Sequence, residues 1–411
     1  MTEVLSGIRV IEVGIWGYVP AAGVALAEWG ADVIKIEHPE YGDPMRGAAF
    51  NGVVPGAAGS SVLYEVFNRG KRSVGIDLHT DGGHDLLLKL VDGADVFVTN
   101  FMESARRRLR IDHDVVMARN PRIVYARASG QGSLGPDADK GGFDFVSYWA
   151  RTGAGLGAMP GGAGAPATPP SSGFGDIQSG LILAGGIAAA LLHRERTGEG
   201  VLVDSSLLAA GLWAMQPSLA GVHVSGADDM PRWDHHRPPN PLVNTYRTAD
   251  GRFVMLSMLD SDRHWPGLCA ALGQAGLADD TRFSTAVSRA EHVTACVAEL
   301  DRIFAGHDLE HWRARLPTQD GPWAIIKTAA EALHDPQATE NGYVRWIGYE
   351  DGSRLPVAAV PVGFGGPTGI PVPPTAVAPA PRHAAHTDEV LLECGLSWDE
   401  LLEHKVKGAV S

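Results

Sequence analysis

The chain is 411 residues long, which at roughly 150 residues per domain gives two to three domains and room for a large buried core. Apolar residues at 45% and charged residues at 20% exclude collagen-like, coiled-coil and disordered classes, while 51 Gly and 27 Pro predict a loop-rich soluble fold. A formal net charge of −14 argues against nucleic acid or anionic membrane as a partner, and Cys269, Cys296 and Cys394, far apart and outside any CxxC pair, suggest neither a disulfide framework nor a zinc site.

The first residues, Met1 to Gly7, lack the basic and apolar regions of a signal peptide, which predicts a cytoplasmic protein. Ile8 to Val13 reads as a strand, Ala21 to Gly30 as a helix and Asp32 to Glu37 as a second strand. This βαβ unit predicts an α/β protein with a Rossmann-like parallel sheet. The intervening turn, Gly14 to Pro20, has no GxGxxG, so no NAD site is expected. The alternation continues with a helix near 82–91, a strand at 94–99, one helix near 104–119 and a strand at 122–128. Gly130 to Gly135 matches GxGxxG by letter, but Pro136 stands where a helix should open; a glycine loop around some ligand and plain turn chemistry both fit.

Residues 152–175 are too rich in Gly and Pro for regular structure and read as a long flexible loop. Asp176 to Arg196 follows as a helix. Its apolar run, Leu181 to Leu192, falls short of the roughly 20 residues of a membrane span, so a buried helix and no membrane insertion are expected. Residues 1–200 form the first part of a large domain and 201–224 a linker helix. Two strand-like runs around Asp250-Gly251 form a hairpin that belongs to a smaller α+β domain over 225–330. Residues 331–411, with a Pro-rich stretch and a short helix at Thr387 to Cys394, return to complete the large domain.

Asp176, preceded by Gly175 at a helix start, is either an N-cap accepting helix N–H groups or an exposed nucleophile, and the two roles are compatible. The basic cluster Arg106-Arg107-Arg108-Leu109-Arg110 is either a solvated helix face or an anion site, to which Lys35, His38, Lys71 and Arg72 could add. A nucleic-acid groove would need interleaved aromatics over a broader basic surface. His235 and His236, adjacent on a strand, point apart and no carboxylate lies at a helical offset, so no metal is predicted. With no GxSxG, and with Cys269 and Cys296 in apolar helical surroundings, a serine or cysteine hydrolase is disfavoured.

Seven segments taken together resemble one family: Leu5 to Glu12, Gly30 to Glu37, Gly42 to Arg46, Asn68 to Ser73, Ala94 to Phe101, Gly175-Asp176 and His386 to Leu391. The family is that of the family III acyl-CoA transferases, with formyl-CoA and carnitine CoA-transferases and, as a divergent branch, α-methylacyl-CoA racemases. The resemblance implies CoA transfer from an acyl-CoA to a carboxylic acid through a mixed anhydride and an aspartyl-CoA thioester on Asp176. Gly175, Phe143 and Asp144 would form the oxyanion and substrate loop. It further implies coenzyme A or acyl-CoA as substrate, held by Trp16, Gly17, His38, Lys71, Arg72, Asn100, Phe101, Ala105, Arg108 and Leu109, and an interlocked homodimer. The alternative is acyl-CoA racemisation by α-proton exchange. The histidine of that branch falls on Phe143, which carries no proton, so this scheme is disfavoured, and Asp144 is left either to orient substrate or to serve structure. A glycine-rich loop like that of formyl-CoA transferases is not apparent between Asp228 and Asn244, which disfavours formyl and oxalyl substrates. The acid itself is not identified.

Overall fold

The computed structural model describes residues 3–47, 61–367, 369 and 376–411. In chain order the first elements are β1 (Arg9–Val13), α1 (Tyr18–Glu28), β2 (Asp32–Glu37), α2 (Val62–Asn68), β3 (Arg72–Gly75), α3 (Asp81–Asp92), β4 (Val96–Thr99), α4 (Glu103–Arg108), α5 (His113–Arg119) and β5 (Val124–Ser129). There follow the single turn α6 (Ala154–Gly157), α7 (Phe174–Thr197), β6 (Leu202–Ser206), α8 (Leu207–Ala214) and α9 (Gln216–Ser225). The six strands are all parallel and ordered β3-β2-β1-β4-β5-β6.

Period-two alternation divides the strand side chains between two cores. Ile11, Ile34, Phe97 and Tyr125 pack on one face with α3, α5 and the C-terminal helices Thr387–Glu393 and Trp398–Val406, through Leu90, Val116, Val390 and Leu401. Val10, Val33, Val98 and Ala126 pack on the other face with α1, α7 and α8, through Ala22, Leu183, Ile187 and Ala210. The C-terminal stretch therefore supplies part of the first core, and Asp335–Ser411 clusters with Met1–Leu156 and Thr168–Asp228 as one unit. Within that unit β10 (Val344–Gly348), β11 (Arg354–Ala358) and β12 (Ala376–Val377) make a small mixed sheet, numbered after the second unit's strands below.

The second unit comprises Gly157–Ala167 and Asp229–His334. The expected hairpin is present as β7 (Val243–Arg247) and β8 (Phe253–Ser257), with Gly251 at a φ of +78°, and β9 (Trp323–Ile325) adds a third antiparallel strand. Its core gathers Tyr246, Trp265, Phe304 and Trp312. The loop part 157–167 joins this unit because Gly161 donates its N–H to the Trp233 carbonyl at 2.7 Å.

Four local expectations are corrected. The helix over 104–119 is broken into α4 and α5, because Arg110 adopts a φ of +57° and Asp112 caps a new start at the His113 N–H. Residues 201–224 are not a linker helix: they open with β6, an edge strand of the main sheet, and Pro217 near the start of α9 accompanies a 63° bend between α8 and α9. The long loop yields α6 and the start of α7, which begins at Phe174 rather than at Asp176. That helix runs 24 residues, long and apolar enough by length and composition to cross a membrane. One face of it is nevertheless packed in the second core.

Helices α1 and α7 approach closely through Gly180, where a Cβ would lie 2.5 Å from Ala21 Cβ and 2.9 Å from both the Ala22 nitrogen and the Tyr18 oxygen. Gly180→Ala should cost about 1–3 kcal/mol in denaturant unfolding, because backbone must move. Gly185→Ala, whose Cβ meets nothing within 4 Å, should be neutral or gain up to about 1 kcal/mol from helix propensity.

Candidate active site

Asp176 is the third residue of α7, so it is not the N-cap; that position is Gly173, at a φ of +71° and without a capping side chain. The cap comes from Asp144 instead, whose Oδ2 accepts the Gly175 N–H at 3.1 Å and whose Oδ1 accepts its neighbour Phe145 N–H at 2.9 Å. Gly175 has to be glycine here, since a Cβ would lie within 2.9 Å of both Tyr148 and Asp144. Capping is thus done across space, and the Asp176 carboxylate is left over. Among the described residues it accepts no hydrogen bond. Burial first, and then the neighbouring Asp144 charge, push its carboxyl up to about 7.

The carboxylate lies against the start of α1. A Cβ on Gly17 would collide with it, and among the described residues no side chain caps α1, so the positive end of a second helix faces the same group. Asp176, Gly17, Trp16 and Asn100 line one cavity of about 410 Å³, together with Gly130 and Phe143. The cavity sits at the carboxyl ends of β1, β4 and β5, where the strand order reverses between β1 and β4, the expected ligand crevice of such a sheet. Phe143 is 57% exposed and packs edge-on against Trp16 with ring centres 5.6 Å apart. The Gly130 to Gly135 loop borders the cavity through Gly130, Gly132 and Ser133, so it shapes a site without opening a helix.

The remaining predicted residues divide. Asn100 lines the cavity and clamps the first turn, accepting the Ile15 N–H at 3.1 Å and donating to the Ile15 carbonyl at 2.6 Å. Phe101 and Ala105 are half-buried nearby, and Arg108 is exposed. His38 is half-exposed after β2, stacked on Tyr41 at 4.6 Å. Lys71 and Arg72 are not available to an anion. The Lys71 ammonium is fully buried and spends its donors on Glu12, Asn68 and the Pro20 carbonyl, because opposite charges cannot stay unpaired out of water. Arg72 is held by Asp32, Glu389 and Glu393 at the other end of the sheet. Leu109 is core, and of the basic cluster Arg106 is buried on Asp112, Arg107 pairs with Glu103 and Arg110 with Asp81.

The structure also supplies residues that the sequence reading passed over. Arg127 and Asp204 pair across β5 and β6 at 3.1 Å on the cavity wall, and the Tyr18 hydroxyl donates to Ser205 at 2.7 Å. A cross-strand pair could have been found only after β6 was recognised. His235 lies in a turn rather than a strand, with its Nε2 3.0 Å from both Asp301 carboxylate oxygens; with His236 these residues stand close enough together to hold a metal ion, so a carboxylate does lie beside the histidine pair, brought there by the fold from a distant helix. Burial pushes the Cys269 and Cys296 thiols up to about 12, which makes them poor nucleophiles.

Against known proteins, the chain matches the family described as CoA-transferase family III over residues 5–387. It is 30% identical over 403 residues to (R)-2-hydroxy-4-methylpentanoate CoA-transferase of Clostridioides difficile, covering 98% of each chain. It is 32% identical over 402 residues to succinate–glutarate CoA-transferase of Agrobacterium fabrum, covering 95% of each. Among solved structures it resembles a CAIB/BAIF family protein from Brucella suis, with a TM-score of 0.82, 26% identity, and coverage of 96% of this chain and 100% of that one.

The raised Asp176 carboxyl has a stability consequence. The folded protein binds this proton more tightly than the unfolded chain does, so the stabilisation is present below about pH 4 and is lost as pH rises toward 7. Asp176→Asn should therefore be more stable than the wild type by on the order of 2 kcal/mol at pH 8 and by nothing at pH 4, read as melting temperature against pH.

Proposed function

The chain belongs to CoA-transferase family III and moves CoA between an acyl-CoA and a carboxylic acid; from that premise we propose that Asp176 carries the acyl and CoA groups in turn. The observation that supports this reading is a carboxylate lining the cavity that has no side-chain hydrogen bond among the described residues, set against a helix start that none of their side chains caps.

The Asp176 carboxylate attacks the thioester carbonyl, the C–S bond breaks, and a mixed anhydride forms with release of CoA thiolate. The thiolate attacks the aspartyl carbonyl, giving aspartyl-CoA and the donor acid, which departs with one aspartate oxygen. The acceptor carboxylate then attacks aspartyl-CoA to form a second anhydride and thiolate. Attack of that thiolate on the acceptor carbonyl makes the new acyl-CoA and returns Asp176 as a carboxylate. Each attack raises a negative charge on oxygen, for which backbone N–H groups at the start of α1 and in the Gly130 loop are the donors available. A carboxyl pushed up to about 7 is a stronger nucleophile, once ionised, than an ordinary aspartate.

The CoA chain would enter past Asn100, Phe101 and Arg108. A second copy of the chain would cover α8 and α9, where Trp213 is 72% and Val224 86% exposed and α9 buries nothing. The racemase alternative is set aside, since Phe143 offers no proton carrier beside Asp176.

Mass spectrometry of the Asp176 peptide after brief incubation with succinyl-, acetyl- and cinnamoyl-CoA tests the reading. A CoA-sized adduct that is absent in Asp176→Ala is expected, forming faster as pH rises through about 7 because the attacking form is the carboxylate. CoA binding with no adduct from any donor, while the α-carbon exchanges solvent deuterium, would overturn it.

A further inference from the structure

Four of the segments that identify the family contribute to one buried charge network with no access to substrate. Glu12 of β1 takes Lys71 on both oxygens, at 2.9 and 2.7 Å, and Lys35 of β2 at 3.1 Å. Lys35 also lies 2.8 Å from Asp43 in an ion pair off the hydrogen-bond line, and donates to the Gly14 carbonyl at 2.8 Å. Asp43 in turn accepts the Met45 N–H at 2.9 Å and the Trp16 N–H at 3.3 Å, and its own N–H is held by Glu37 at 2.9 Å. Glu37 is closed off by Arg46 and Ser73. The Lys35, Lys71, Glu12 and Asp43 side chains have no exposed surface.

Burying so many charges brings little net stability, since the desolvation penalty consumes the attraction. What the network does with its leftover donors and acceptors is more specific. Three successive residues of the turn before α1 are each pinned by a different side chain: Gly14 by Lys35 on β2, Ile15 by Asn100 just after β4 and Trp16 by Asp43 in the loop after β2. The turn they pin is strained. Trp16 has a φ of +64°, one of three non-glycine residues with positive φ among the described residues, and Gly17 follows it against the Asp176 carboxylate. Such a conformation costs on the order of 1–3 kcal/mol and persists only where its surroundings over-determine it.

We infer that Lys35 and Asp43 are positioning residues for the chemistry at Asp176: through Gly14 and Trp16 they fix the strained turn that sets Gly17 and the start of α1 at reacting distance. The inference rests on Asp176 being the reacting group. It assigns the Gly42 to Arg46 segment and the buried lysine of β2 a role in rate, where charge alone would have suggested phosphate binding.

The test compares Lys35→Met/Asp43→Ala, which removes one cation and one anion together and leaves Glu12 paired with Lys71, with the conservative Asp43→Asn, which keeps an acceptor for the Trp16 N–H. Three quantities are read: the rate of Asp176 adduct formation from succinyl-, acetyl- or cinnamoyl-CoA, the Kd of CoA, and amide hydrogen exchange of peptide 14–20. In the double variant the adduct rate should fall about 100-fold, the effect of a displacement near 1 Å, while CoA Kd stays within about threefold. Exchange in 14–20 should rise at least about tenfold with the β1 to β5 peptides unchanged. Asp43→Asn should recover about tenfold of the lost rate. Unchanged exchange in 14–20, or rate and CoA affinity lost together, would overturn the inference. If the double variant fails to fold, Asp43→Asn decides alone: wild-type rate and wild-type exchange would also overturn it. If the wild type transfers CoA without an adduct on Asp176, the nucleophile reading fails and the inference falls with it, whereas a wild-type adduct rate in the double variant overturns the inference alone.

Discussion

The site depends on how closely α1 and α7 can approach. Asp176 and Gly180 are four residues apart on α7, hence on one face, and Ile187 continues that face into the second core. Gly180 brings the two backbones together against Tyr18, Ala21 and Ala22, and the same approach carries the Asp176 carboxylate to Gly17. A reactive group thus sits in the stripe of residues that packs the helix, at the end where packing gives way to a cavity. Its raised carboxyl follows from that position. Two glycines, Gly17 just ahead of α1 and Gly180 on α7, let a packing contact and a reaction site share a seam.

The sheet then decides what the seam faces. All six strands run in one direction, so the turns that follow β1, β4 and β5 lie on one edge and the reversal of strand order opens a crevice between them. Asp144 completes the arrangement from the loop before the Phe145–Ala150 helix by capping α7, which frees Asp176 from the role that sequence position first suggested for it. The neighbouring carboxylate also hinders ionisation of Asp176, so one residue shapes both the geometry and the titration of the other.

Much of the large unit was legible in the amino acids. Val10, Ile11, Val33, Ile34 and Phe97 form apolar runs that only a sheet covered on both faces would bury, and this marks the parallel strands in the amino acids themselves. β6 was not legible, because an edge strand reading Leu202-Val203-Asp204-Ser205-Ser206 is half polar and has no such run. The charged residues misled for a different reason. A lysine letter does not say whether its partner is solvent, substrate or a buried glutamate, and Lys71, a CoA contact by resemblance, pairs with Glu12 in the structure. A signal was available: Glu12 and Lys35 alternate with Ile11 and Ile34 on strands buried on both faces, and inward charges of opposite sign on neighbouring parallel strands need each other. The break between α4 and α5 was likewise present as Asp112 ahead of His113, hidden by the helical pattern on either side.

The central claim is that Asp176 exchanges oxygen with the acids it serves, which no direct transfer between bound substrates would require. The measurement is turnover with an acceptor acid carrying ¹⁸O at both carboxylate positions, followed by mass analysis of the peptide that holds Asp176. The account predicts one heavy oxygen in the Asp176 carboxylate after the first turnover, rising toward two as turnovers accumulate, and one aspartate-derived oxygen in each released donor acid. Product formed over many turnovers with Asp176 still unlabelled would contradict it.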